Sequence, residues 1–173
     1  PTGKTLWDLI PDDQEARIRD NPNLPLGSAT GIYGYQPWVV AAMLSIPLCE
    51  SQRKLAGILT LDEMIAGRAS LAHTEILGLE TVKEQLSVFA DMPLDLQTKY
   101  LLAVAGIGPR MNDYFETLIS LYQQRHVTAY MPFARRDPSS KLEGADAMMA
   151  FVEEDLVRKR NHRMAERAAE ILK

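Results

Sequence analysis

The sequence predicts a mainly α-helical, bundle-like domain with at most one or two short strands. Three observations carry this reading. Thr60-Leu61-Asp62-Glu63 and Thr81-Val82-Lys83-Glu84 both have the Ser/Thr-x-x-Glu form of a capping box, which opens a helix. Two stretches, Met111 to Gln124 and Asp146 to Leu172, repeat apolar residues at helical spacing. Only Thr74 to Leu79 has strand character, and Gly78 weakens it.

The elements follow in order. Leu6 to Ile10 reads as a short apolar turn or helix, and Pro11-Asp12-Asp13-Gln14-Glu15 starts a helix with acids in its first turn. Asn21 to Gly34 is rich in Pro, Gly and Asn and reads as a loop. Pro37 suits the first turn of a helix running from Trp38 to Ile46, and Pro47 ends or kinks it before Leu48 to Ala56. Thr60 opens a helix to about Leu71, and Thr81 opens one through Phe89. Met92-Pro93 starts a third, which reaches about Ala105 before Gly106-Ile107-Gly108-Pro109 breaks it. In the next helix Tyr114, Phe115, Leu118, Ile119 and Tyr122 share a face. Met131 to Ser140 reads as a loop, and Ser140 to Glu143 as a third cap before the last helix. A lone strand leaves its backbone groups without partners, so it is expected to pair between molecules or with segments outside this chain.

Composition narrows the function classes. The chain has 173 residues, 46% of them hydrophobic and 24% charged, which suits one domain spanning 1–173 with a core of its own. A net charge of -4 argues against a general nucleic-acid-binding surface. One cysteine, Cys49, excludes an internal disulfide and a cysteine-rich metal site. The longest apolar run, Trp38 to Pro47, is far shorter than the roughly 20 residues of a membrane span. No signal peptide is visible and the chain starts at Pro1, which leads to the expectation of a processed or excised piece.

Two places break the local packing rule. Glu80 puts a carboxylate at the end of the strand-like run, beside a helix start, where open α/β sheets place ligand-binding groups. Its simpler role, which spacing alone favours, is to complement the dipole of the helix that follows. Arg160 and Asn161 interrupt an apolar stripe formed by Met149, Val152, Leu156, Val157, Met164, Ala168 and Ile171. A guanidinium on that side needs a carboxylate, with Glu80 and Asp62 as candidates. A structural ion pair, or Arg160 reaching solvent along its stem, competes evenly with a functional role. Asp62 is most simply a helix-dipole acid, and Gln85 a surface or capping residue that could face the same cleft. His73, His126 and His162 are scattered and lack metal-ligand spacing. Cys49 reads as a buried small hydrophobe, Gly106-Ile107-Gly108 as a helix break, and Arg135-Arg136 as a solvated loop, with a local anion contact as the alternative.

Together these residues resemble the TraB/GumN family, which includes the Tiki proteins. The resemblance runs through most of the chain: Pro1 to Ile10 (PTGKTLWDLI), Gln36-Pro37-Trp38, Leu61-Asp62-Glu63-Met64, then Gly78-Leu79-Glu80-Thr81 with Gln85-Leu86, Phe89 and Met92-Pro93-Leu94. Arg160-Asn161 with Met164-Ala165 completes it. The resemblance implies metal-dependent proteolysis, with a peptide or protein substrate and a divalent metal in the parent protein. That family's hallmark is a pair of Gly-x-x-His motifs, and no Gly-x-x-His occurs here. The implied reading is the helical middle of a larger α/β protein, without metal ligands of its own and inactive alone. By carry-over, Glu80, Arg160 and Asn161 are the candidate catalytic residues, with Asp62 and Gln85 as possible lining residues. The cell envelope or periplasm is the implied location.

A second reading stays open: a non-catalytic helical binding or dimerisation module, with exposed apolar surface driving a homodimer. A third, an unrelated helical domain, predicts that Glu80 and Arg160 lie far apart.

Overall fold

In the computed structural model, which describes residues 3–24, 31–136 and 145–173, helices begin where the sequence carries start signals. Leu6 and Ile10 flank a 3₁₀ turn, Trp7–Leu9, and are buried in the core. Helix α1 (Asp12–Arg19) follows Pro11. Helix α2 (Pro37–Leu44) has its proline at the first position, and α3 (Leu48–Leu55) starts after Pro47. Helices α4 (Leu61–Leu71) and α5 (Val82–Ala90) carry the two expected capping boxes. In α4 the Glu63 amide donates to Thr60 Oγ1 at 3.3 Å, and the Thr60 amide donates to Glu63 Oε2 at 2.8 Å. Helix α6 (Leu94–Ile107) stops at Gly108, whose φ of 50° is the left-handed region that glycine adopts freely. Helices α7 (Met111–Gln123) and α8 (Tyr130–Arg136) follow. The last helical run is α9 (Ala145–Phe151), a π-helical stretch (Val152–Lys159) and α10 (Arg160–Ile171).

Helix α6 is the axis of the bundle. It packs on α2, α1 and α9, and buries Leu101, Val104 and Ala105 against Val40, Ala41 and Leu44 of α2 and Ile18 of α1. Its carboxyl end would leave orphan carbonyls. Two buried asparagines meet them: Asn21 Nδ2 donates to the Ala105 carbonyl at 3.5 Å, and Asn23 Nδ2 to the Gly108 carbonyl at 3.2 Å. Asn23 also accepts the Leu48 amide at 3.2 Å through Oδ1, which fixes the start of α3 to the same point. An aromatic stack ties the remaining layers: Phe89 of α5 lies 5.7 Å from Trp38 of α2 and 6.3 Å from Phe151 of α9.

Several expectations are corrected. Residues 74–79 form no ladder, and no strand occurs among the described residues. Residues 131–136 are helical, because Pro132 is the third residue of α8, where an amide has no intrahelical partner to lose. The final helix is not α throughout. The expected cap at 140–143 and the centre of the 21–34 loop lie outside the described residues. None of the helices among these residues is long and apolar enough to cross a membrane.

One face stays open. Leu61, Met64 and Ile65 of α4 are 60%, 46% and 56% exposed, and Leu59, Ile76 and Leu77 continue the band.

Asn23→Ala removes the donor to Gly108 and the acceptor for Leu48. It is expected to lower the free energy of unfolding by about 1–3 kcal/mol, the cost of buried polar groups left unpaired. Urea denaturation followed by circular dichroism reads this, and an unchanged midpoint would show that the asparagine clasp is dispensable.

Candidate functional site

Glu80 stands immediately before Thr81, the N-cap of α5, so its position is set by the capping box. Arg160 opens α10. The two meet in a two-pronged ion pair. Arg160 Nε donates to Glu80 Oε1 at 2.9 Å and to Oε2 at 2.7 Å, and Nη2 lies 2.7 Å from Oε2. Glu80 is 11% exposed and Arg160 24%, so the pair is largely screened from solvent at an edge of the bundle. Forked charge-assisted contacts of this kind fix orientation as well as adding energy. The separation expected of an unrelated helical domain is not found.

The pair belongs to a longer seam. Arg163 Nη2 lies 4.0 Å from Glu80 Oε1. Arg167 Nη1 donates to the Leu79 carbonyl at 2.8 Å and to Glu84 Oε2 at 3.1 Å, and its Nη2 donates to Glu84 Oε1 at 2.9 Å. Glu84 is also the reciprocal partner of Thr81, accepting its amide at 2.7 Å. The Arg167 guanidinium, and then the Thr81 amide and hydroxyl, hold the Glu84 carboxyl down from 4.5 to about 2. Sequence reasoning missed Arg163 and Arg167. Their signal was present, since 160, 163 and 167 share one face of an α-helix.

The π-helical stretch explains why the arginines face α5. Phe151 and Arg160 are nine residues apart. At the roughly 100° per residue of an α-helix they would sit on opposite sides. A π-helix closes i→i+5 bonds and turns only about 80° per residue, which returns both to nearly one side. Phe151 then meets Phe89, while Arg160 meets Glu80. The same change of phase corrects the expectation for Asn161. A constant α period places it inward with Arg160, whereas it is exposed. Gln85 and Asp62 are exposed as well, Asp62 on the open α4. Of the five expected site residues, the structure brings Glu80 and Arg160 into contact.

Beside the seam runs a groove of about 470 Å³ between α5 and the last helix, with Glu84, Ser87, Val88 and Asp91 on one wall and Phe151, Asp155, Lys159 and Arg163 on the other. Met92 and Pro93 close one end.

Other candidates are dispersed. Among the described residues no group of three or more His, Cys, Asp or Glu side chains is placed to hold a metal ion. His162 lies 3.2 Å from Glu166 on the exposed side of α10. His73 is a left-handed residue just beyond α4, with φ 53°. Cys49 is half-buried rather than fully buried, and its Sγ lies 3.3 Å from Asn112 Oδ1. Arg135 lies in the last turn of α8 rather than in a loop, and its Nη2 donates to Glu153 Oε1 at 2.7 Å, the local anion contact of its alternative reading.

Because Glu84 is depressed in the folded protein, the unfolded chain binds this proton first as pH falls. The stability it contributes is present above about 4.5 and lost on descent toward about 2. Glu84→Gln is expected to flatten the stability-versus-pH curve over that window. Denaturant midpoints measured across it would show an unaltered slope if the Arg167 contact carries no weight.

The comparisons with known proteins agree with the resemblance read from the motifs. The sequence profile of the TraB/PrgY/gumN family matches residues 1–173, the whole chain. No curated protein and no solved structure matches it. Over its full length, then, the chain belongs to the TraB/PrgY/gumN family.

Proposed function

We propose that this chain supplies the acid–arginine part of a metal-dependent peptidase site and does not cleave peptides by itself. The observation that carries the reading is the Glu80–Arg160 pair, drawn together from positions 80 residues apart by two of the motifs that resemble the family. The described residues do not fit a metal centre, since no ligand group forms and Arg160 occupies both Glu80 oxygens. No step here is therefore routed through a metal.

The pair has a division of labour. A carboxylate that accepts from Nε and Nη2 of one guanidinium has both oxygens occupied and fixes the orientation of that guanidinium. Glu80 therefore acts as a positioning residue. Nε and one hydrogen of Nη2 of Arg160 are committed to Glu80, and its Nη1 hydrogens with the second on Nη2 are left to orient a substrate carbonyl or the oxyanion formed from it. Arg160 is the group proposed to touch the substrate. Asn161, one residue on and exposed, and the peripheral Asp62 and Gln85 are assigned no step.

A second reading rests on the open apolar band. Leu61, Met64 and Ile65 on α4 suit a non-catalytic docking or dimerisation surface. It predicts a concentration-dependent dimer in sedimentation and full function without the ion pair.

The test uses the full polypeptide that contains these residues, a fluorogenic peptide and added divalent metal. Arg160→Gln is expected to lower kcat/KM about 10²-fold, the scale of losing one oriented donor. Glu80→Gln should lower it less, because the guanidinium stays and only its orientation loosens. The isolated chain should show no metal-dependent cleavage. Full activity in the Arg160 variant would remove the pair from the site, and cleavage by the isolated chain would overturn the claim that it is inactive alone.

A further inference from the structure

We propose that the groove between α5 and the π-helical wall binds a short peptide-like ligand carrying a positive group at one end and a carboxylate at the other. This deepens the peptidase reading and rests on it for the substrate class. The groove is the product of the π stretch. Phe151, Asp155 and Lys159 are four residues apart, and Arg163 is four further on. In a continuous α-helix, four-residue steps drift by about 40° each, and the last side chain would turn out of the groove. In the π stretch the same step turns about 320°, so its drift runs the other way and brings Arg163 back to within about 40° of Phe151, and all four line one wall.

The charges along the groove do not all remain available. Lys159 Nζ lies 2.7 Å from Asp155 Oδ1, so these two cancel. Glu84 is engaged by Arg167 and Thr81. Two charges are left. Arg163 is half-exposed and reaches Glu80 only at 4.0 Å, while both Glu80 oxygens are already held by Arg160. Asp91, the residue that ends α5, is exposed and makes no ion pair with the described residues. The groove is thus cationic where it approaches the Glu80–Arg160 pair and anionic at its Met92–Pro93 end. Val88 and Phe151 add apolar surface between the two charges.

The spacing sets the size of the ligand. Helix α5 has nine residues, so its ends lie about 13 Å apart. An extended peptide covers roughly 3.3–3.6 Å per residue, so three to four residues span the two charges. Free peptide termini supply the pattern directly, and a Lys and a Glu side chain on a longer peptide supply the same pattern. In either case the carboxylate sits at Arg163, next to the guanidinium proposed to act on the substrate.

Isothermal titration of the intact chain with a Leu-rich tetrapeptide tests this. The unblocked peptide should bind saturably. N-acetylation should weaken binding about tenfold in the wild-type chain and not in Asp91→Asn. C-amidation should weaken it about tenfold in the wild-type chain and not in Arg163→Gln. A doubly blocked peptide carrying Lys and Glu side chains identifies the second source if it binds under the same two controls. Melting curves of both variants guard against misfolding. Absence of saturable binding to all of these peptides, or binding indifferent to blocking and to both substitutions, would overturn the proposal. The readout is equilibrium binding. Binding without metal-dependent cleavage in the full polypeptide removes only the peptidase reading, and cleavage without these charge effects removes only the groove.

Discussion

The grip of the last helix on α5 is the constraint on which the rest of this region depends. That grip has two ends of different chemistry. At one, Phe151 meets Phe89, which also stacks on Trp38. At the other, Arg160 and Arg167 hold Glu80 and Glu84. Both ends reach the same small helix only because the connecting turns are π-wound, so a locally less favourable backbone is kept for the sake of two separated contacts. π-Helical turns are uncommon and recur at functional sites. Here their effect is one of phase: they decide which side chains face α5 and which face solvent.

Away from that grip the fold is ordinary in its physics. Helix α6 buries one apolar stripe against α1 and α2, and its carboxyl end is closed by Asn21 and Asn23. Core and seam meet through Trp38, which leaves α2 to stack on Phe89. The apolar band from residue 55 to 79 does not join the core, and its exposed leucines and isoleucines make α4 the least integrated helix described.

What could be read from the sequence was what is decided within four or five residues, together with one long-range pair. The capping boxes at Thr60 and Thr81, the break within Gly106 to Pro109, which takes effect at Gly108, and the proline starts at Pro37 and Pro47 are local, and the helices obey them. Glu80 and Arg160 stood out because each broke a local rule, and a charge on a packed face needs its opposite. A constant helical period puts Asn161 inward, and the π-wound turns before it leave it exposed. Arg163 and Arg167 share the helix face of Arg160, which is their signal, but arginines on an exposed face are common and the spacing does not say whether that face meets a seam or solvent. The helix at Tyr130 to Arg136 was hidden by Pro132, which forbids a helix interior but not a first turn. The strand expected at 74–79 rested on apolar side chains alone, and without a neighbouring strand their alternation fixes no ladder.

Glu84 serves two partners whose separations in the chain are very different. Thr81 is three residues away and Arg167 is 83. The cost of closing a loop rises with its length, so the near contact costs less to form than the distant one. The turn at Thr81 closes on the time scale of local helix formation, before the last helix has been brought near. When Arg167 arrives it finds a carboxylate already aimed by the turn, and α5 acts as a pre-shaped receptor for the carboxyl-terminal part of its own chain. One side chain thereby joins a local turn to a helix far along the chain: it shapes the turn and offers it to that helix.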